Sequence, residues 1–291
     1  METIRIKALS GSAGIASVSI KARSVSAGIP SAHRSAFTLV ELLVVIGIIA
    51  LLAAIVTPAV MRAQATARNA AIKAEIDMLH MAIMNYKNEY GSFPPCYDAN
   101  PSATLTNGAM TSVAQKHLQR LFPRCTNVSG PTGQFQNSVG LTPATALIAW
   151  LSGFNSDSTL PLLPIIDKKK LFDFDTSRLG HIDPDSPTTT RLVYMPSQKP
   201  ESPYIYIHNS QYGTPWPPTA YKYYVGNTEY RIEANTYSAV PDPNEPGKFF
   251  NNDSFQILNA GRDGTWASNG PDDDLSNFWP GTRKDYADSR K

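Results

Sequence analysis

Residues 42–56 read LLVVIGIIALLAAIV, fifteen apolar residues without interruption. Extended from Phe37 to Met61, the stretch has twenty-five residues, and only Thr38, Glu41 and Thr57 carry polar side chains. About 20 apolar residues cross a bilayer as a helix, so this segment is membrane-competent. No other stretch of the 291 residues comes close. Three readings compete. A secretory signal peptide would be cut at the A-x-A site Ala63-Gln64-Ala65, but its apolar core would be at or beyond the usual limit and its leader unusually long. A plain signal anchor would hold a periplasmic protein with its own binding or hydrolytic activity. The third reading starts from Glu41, because an acid inside a membrane helix costs about 2.5–3.5 kcal/mol near the centre, less near the end, and implies a function.

Glu41 lies four residues after Phe37 in the run SAFTLVELLVVIGIIALLAAIVTPAV (35–60). This run resembles the N-terminus of type IV pilins and type II secretion pseudopilins: a basic leader, a prepilin peptidase site, Phe-Thr-Leu-(Val/Ile)-Glu-Leu and a long apolar helix. The resemblance implies cleavage between Ala36 and Phe37, with Phe37 as the N-methylated mature terminus. It implies that Glu41 faces the free amine of a neighbouring subunit's Phe37 during assembly, cancelling a buried charge. Pro58 matches a family proline that kinks or loosens the helix as it leaves the membrane. The family usually has Gly before the cut where this chain has Ala36, and the long leader allows a start codon downstream of Met1.

Charge supports neither a nucleic-acid partner nor an orientation. Residues 1–36 hold five basic side chains and one acid, leaving 21 basic against 23 acidic residues in the rest. That nearly neutral body, whose longest basic run is Lys168-Lys169-Lys170, is a poor electrostatic footprint for nucleic acid. Around the apolar segment Lys21, Arg23 and Arg34 balance Arg62, Arg68 and Lys73, so charge alone does not orient it. The resemblance places the leader in the cytoplasm and the body in the periplasm, with the chain single-pass in the inner membrane until it assembles.

Beyond the membrane, Ile72, Ile76, Leu79, Ile83, Tyr86 and Tyr90 recur at spacings of four and three, one apolar stripe on a helix. Gly91 and Pro94-Pro95 stop it. A continuous helix from Phe37 to Tyr90 would be roughly 80 Å long at about 1.5 Å per residue. Tyr86 to Pro94 also resembles the Y-x-x-x-x-G-x-(Y/F)-P junction of major pseudopilins. The expected domains are a basic leader (1–36), a membrane or filament-core helix (37–61), its amphipathic continuation (62–90) and a periplasmic or extracellular globular domain (91–291).

In that domain, helices are expected at Ser112–Phe122 and from Pro143, the latter capped by Thr142, burying Leu147, Trp150 and Leu151, and closed by Gly153. Strands are expected at Arg191–Met195, Tyr204–His208, Tyr221–Val225 and Ser254–Leu258. Residues 155–190 and 209–250 read mainly as surface loops. Helices first and strands later give an α+β, pilin-like fold: a long N-terminal helix whose second half packs on a C-terminal antiparallel sheet with long loops.

Asp263-Gly264 and Asn269-Gly270-Pro271-Asp272-Asp273-Asp274-Leu275 are similar to the C-terminal calcium loop of major pseudopilins. The resemblance implies Ca²⁺ held by Asp263 and two of Asp272, Asp273 and Asp274; hard oxygen ligands on a Gly-containing loop suit that ion. The competing reading is a solvated acidic turn. Cys96 and Cys125 are an even pair in a chain expected to face an oxidising compartment, either bridged or two buried thiols. The chain has no G-x-S-x-G, H-E-x-x-H, C-x-x-C or Walker A sequence, and Gly247-Lys248 is followed by Phe249. The absence of these motifs weakens the enzyme reading, and the resemblance implies a prepilin-like subunit, not an enzyme, that forms homo-oligomeric filaments of a type II secretion pseudopilus or type IV pilus-like kind. Its implied partners are the lipid bilayer before assembly, the prepilin peptidase, the assembly platform membrane protein and its ATPase.

Overall fold

The apolar run and the stripe behind it lie on one element, the helix α1 (Leu39–Tyr90, 52 residues). It appears in a computed structural model that describes residues 38–96, 112–125, 141–159, 161, 168–181, 192–197, 202–217, 220–261, 264–266 and 273–290. Gly91, at φ +78°, ends α1 by donating its N–H to the Lys87 carbonyl at 2.7 Å, a left-handed cap that a side chain would strain. The chain divides into two compact units at Ile55 and Val56. The described part of the first unit is apolar helix with every side chain exposed.

In the second unit, α1 turns Ile72, Ile76, Leu79, Ile83 and Tyr86 inward. They share one buried cluster with Leu118 of α2 (Ser112–Leu121), with Leu147, Trp150 and Leu151 of α3 (Ala146–Leu151), and with Tyr204, Tyr206, Phe255 and Ile257. The last three sit on or beside β5 (Ile205–His208) and β8 (Phe255–Asn259), which with β9 (Leu275–Ser276) form a three-stranded antiparallel sheet in the order β5-β8-β9. Alternation along β5 sends Tyr206 into the α1 cluster, while Ile205 and Ile207 enter a second cluster with Trp216, Tyr223, Tyr237 and Trp279. Both faces of this sheet are thus covered, one of them by α1.

The junction after α1 is pinned from two sides. Trp150 Nε1 donates to the Pro95 carbonyl at 2.8 Å, and the Tyr206 hydroxyl donates to the Pro94 carbonyl at 2.7 Å. Neither carbonyl can continue a helix past the proline pair, and both are satisfied by side chains that fill the core.

The other strands form a pair, β1 (Phe154–Asn155) with β2 (Lys168–Lys169), and a four-stranded sheet. That sheet joins β3 (Leu179–His181), β4 (Leu192–Tyr194), β6 (Tyr221–Val225) and β7 (Thr228–Ile232) in the order β4-β3-β6-β7. All pairings are antiparallel. A Cβ on Gly180 would come within 2.8 Å of Val193 and 3.0 Å of the Tyr224 carbonyl, so β3 threads between its neighbours only as glycine. A short helix, α4 (Arg283–Asp288), closes the described chain, capped by reciprocal bonds between Thr282 and Asp285.

The α+β class and the helix-on-sheet layout hold, with three differences. The single expected sheet is three sheets. The segments read as loops contain β2, β3 and β7. The helix α3 begins at Ala146 and not at Pro143, although the Thr142 hydroxyl accepts the Thr145 N–H at 3.3 Å and the Thr142 carbonyl accepts the Ala146 N–H at 2.9 Å, as the expected cap requires. The cause is the Pro143 carbonyl, which accepts the Tyr206 N–H at 2.8 Å and so extends the β5 edge instead of opening a helix.

Full burial of His117 and partial burial of His80 and His208 hold all three imidazoles below their ordinary pKa, which makes the body acid-sensitive. Arg120 can only donate, so His117 Nδ1, 3.3 Å from its guanidinium, accepts, and His117 Nε2 donates to the Tyr86 hydroxyl at 2.8 Å. Burial, and then the Arg120 charge, lower the His117 pKa to about 4. Burial alone lowers that of His208 to about 4. His80 is lowered by burial as well; its Nδ1 faces Asn277 Nδ2 at 3.0 Å, while Asn277 Oδ1 accepts the Ile257 N–H at 2.8 Å. Groups depressed in the fold stabilise fully above their unfolded pKa, near 6.5, and lose that stabilisation as pH falls toward the folded value. His117 and His208 should each give up about 2 kcal/mol by about pH 5. Thermal melts should be level above about pH 7 and fall steadily between about pH 6.5 and 5, ahead of most carboxylate titration. A Tm unchanged to pH 5 would contradict this assignment.

Candidate functional site

The N-terminal end of α1 closes with its own acid. The Thr38 N–H donates to Glu41 Oε2 at 2.8 Å and the Thr38 hydroxyl donates to the same oxygen at 2.9 Å. In return the Glu41 N–H donates to Thr38 Oγ1 at 3.1 Å. This is a capping box: two backbone N–H groups that no helical carbonyl can reach are satisfied reciprocally by side chains three residues apart. In a bilayer, where no water replaces them, such groups cost several kcal/mol each if left open. The carboxylate also sits at the positive end of the helix dipole. Behind it every side chain from Leu42 to Val56 is exposed, and α1 is long and apolar enough to cross a membrane.

The arrangement has two chemical capacities. It keeps the start of an apolar helix free of open donors, and it places one carboxylate on a surface otherwise made of Leu, Ile and Val. Such a group seeks a cation, and any amine brought beside it would be paired in a low dielectric. Ala36 and Phe37, the residues expected to flank the scissile bond, lie outside the described residues. Pro58 lies inside α1, where it supplies no N–H to the helical ladder. The partnership of Thr38 with Glu41 was not part of the sequence expectation, although the T-x-x-E spacing ahead of an apolar run is its signature.

Where α1 meets the body, a second polar constellation fixes the helix. Arg178 Nη2 lies 2.6 Å from Glu75 Oε2, and the pair is largely enclosed. The Tyr204 hydroxyl donates to the same Glu75 oxygen. Arg178 also donates twice to the Met195 carbonyl, at 3.0 and 2.6 Å, and stacks on the Tyr194 ring at 4.5 Å. Periodicity placed Glu75 off the apolar stripe and offered no sign that its partner lies 103 residues away.

The expected calcium loop is only partly described, since Asp263 and Asp272 lie outside the described residues. The Asp274 carboxylate is buried and faces Arg283 at 3.6 Å, and its carbonyl accepts the Arg283 N–H at 2.8 Å. Its charge is therefore balanced by a guanidinium, a poor arrangement for a cation ligand. Gly261, at φ +62°, packs its backbone against the Asp273 carbonyl, where a Cβ would approach to 2.3 Å. Among the described residues no three His, Cys, Asp or Glu side chains converge as a metal site. Cys96 and Cys125 are both buried in the α1 cluster, and Cys96 Sγ accepts the His208 N–H at 3.3 Å.

Residues 31–57 match the family model described as the prokaryotic N-terminal methylation motif. That stretch spans the expected cleavage site, the capping box and the apolar run. No curated protein and no solved structure matches the chain.

Proposed function

For a chain that carries the prepilin-type signature of type IV pilins and pseudopilins, we propose the role of a structural subunit: inserted through α1, cut by prepilin peptidase between Ala36 and Phe37, methylated at Phe37 and assembled into a pseudopilus or pilus-like filament. The observation that carries the reading is Glu41, a carboxylate on the first turn of an exposed apolar helix, inside the matched motif. Before assembly it is satisfied by Thr38 within its own subunit. On assembly the new amine of a neighbour's Phe37 becomes its counter-ion. The body then faces the periplasm or the filament surface, and the platform membrane protein and its ATPase drive assembly. The motif points to a structural subunit rather than an enzyme. Cells lacking the peptidase should accumulate a chain heavier by residues 1–36 and yield no sedimentable assemblies; unchanged mass would overturn the reading.

The calcium proposal now rests on Asp263, Asp272 and Asp273, with Asp274 given to Arg283. Removal of Ca²⁺ with EGTA should lower the Tm of the detergent-solubilised chain by several degrees, and Asp263→Asn should abolish that response. A Tm indifferent to EGTA would leave the segment as a solvated acidic turn.

A further inference from the structure

The helix α2 has ten residues. Isolated helices shorter than about 12–15 residues are marginal in water, so its order depends on docking. Fifteen residues separate Cys96 from Ser112, and fifteen separate Cys125 from Leu141. Chain of that length reaches about 50 Å when extended, which lets α2 leave its place without moving α1 or α3.

The docked face is small. Ala114, His117 and Leu118 are buried, and Leu121 and Phe122 pack partly buried beside them. His117 lies at the centre of this face. Its ring is stacked 6.0 Å from that of Tyr86 on α1 and stands edge-on, at 5.2 Å, to that of Trp150 on α3. Nε2 donates to the Tyr86 hydroxyl at 2.8 Å, and Nδ1 accepts from Arg120 Nη2 at 3.3 Å. The same guanidinium donates to Ser92, just past the end of α1, and Phe122 packs on Phe154 at 5.0 Å.

Protonation of His117 spares one of its bonds and inverts the other. Nε2 goes on donating to Tyr86. Nδ1 becomes a second donor and faces a guanidinium that can only donate. The other titratable groups around the ring give no relief. Burial pushes the Tyr86 phenol far up, so it stays neutral, and His208 at the end of β5 opposes a positive charge, as Arg120 does. The imidazolium is relieved only by reaching water, and it takes α2 with it.

We infer that α2 is an acid-released latch on the end of α1: when His117 takes up a proton, α2 undocks and uncovers the Tyr86, Trp150 and Phe154 face while the helix-on-sheet core stays folded. The release is local because of where the histidines stand. His208 belongs to a strand paired at four positions with β8, and His80 lies within the long helix α1, so neither has a short element to free. The docked imidazole has a pKa of about 4 and the released one the ordinary value near 6.5, so acid favours release. Between pH 7 and pH 5 the released population should rise about twentyfold.

Hydrogen exchange of the full-length chain in detergent, followed at pH 7 and pH 5 and corrected for the intrinsic pH dependence of exchange, tests this. Peptides covering α2 should exchange about twentyfold faster at pH 5 and regain protection when pH 7 is restored. Those covering β8 should stay far better protected than α2 at both pH values. His117→Gln keeps an N–H for Tyr86 and cannot titrate, so it should reduce the pH effect on α2 to less than about threefold. If that variant leaves α2 unprotected even at pH 7, Arg120→Gln decides. It removes the charge and supplies an acceptor for the Nδ1 proton, and should shrink the wild-type effect several-fold. Equal protection of α2 at the two pH values, exchange of α2 and β8 at one common rate, or an undiminished pH effect in either variant would overturn the inference.

Discussion

Glu41→Gln is expected to leave the chain inserted, capped and processed while reducing filament assembly about a hundredfold. Glutamine accepts the two Thr38 bonds through its amide oxygen, since Glu and Gln serve equally at this position of a capping box. The substitution therefore spares the helix end and removes only the charge. What is lost is the pairing of a carboxylate with an amine in a low dielectric, and leaving one partner of such a pair buried alone costs about 3 kcal/mol or more. Every 1.4 kcal/mol is about tenfold in an association constant, which sets the expected loss. Glu41→Ala removes the cap as well and should be at least as severe. The measurement is the sedimentable fraction of processed subunit, compared at equal membrane levels. Wild-type assembly by the Gln variant would mean that Glu41 serves only as a helix cap and that its charge plays no part in assembly.

Glu75→Ala should lower the Tm of the body by roughly 5–15 °C. The substitution leaves Arg178 enclosed without its carboxylate, although its bonds to Met195 remain, and it removes the acceptor of the Tyr204 hydroxyl. Breaking one side of a buried pair costs about 3–5 kcal/mol; partial exposure of this pair brings the expectation to about 2–4. For a body of this size about 1 kcal/mol corresponds to 2–4 °C. Fluorescence of the buried Trp150, Trp216, Trp266 and Trp279 reports the transition. Adding Arg178→Met should restore part of the loss, because the uncompensated charge goes with it. A shift below about 1 °C would show that the pair does not hold α1 to the body.

What was readable in the sequence follows from how local each signal is. The apolar run, the stripe Ile72–Tyr86 and the stop at Gly91 depend on neighbours within a few residues, and α1 appears with those bounds. Tyr221–Val225 was legible for the same reason: β-branched and aromatic residues beside a turn, with Gly226 at φ +59° opening it. Lys168–Lys169 and Leu179–His181 have no strand-like composition. They pair because Gly153 and Gly180 leave room for a backbone to approach, which is a property of the packed fold. The displaced start of α3 has the same origin, in the distant Tyr206 N–H.

The site divides along the same line. Glu41 stood out because an acid in an apolar run is costly wherever the chain folds, and its partner Thr38 was three residues away. Glu75 looked like an ordinary surface acid until the fold brought Arg178 and Tyr204 to it. Asp274, by contrast, looked like one of three equivalent carboxylates, and only the return of α4 shows that Arg283 balances it.

The central claim is that this chain matures at Phe37 and assembles through the helix that follows. N-terminal sequencing with intact-mass measurement of protein extracted from membranes tests it most directly. The account predicts a single species beginning at N-methylated Phe37, with residues 1–36 removed. A chain beginning at Thr66, or one that keeps its leader in cells with an active prepilin peptidase, would contradict it.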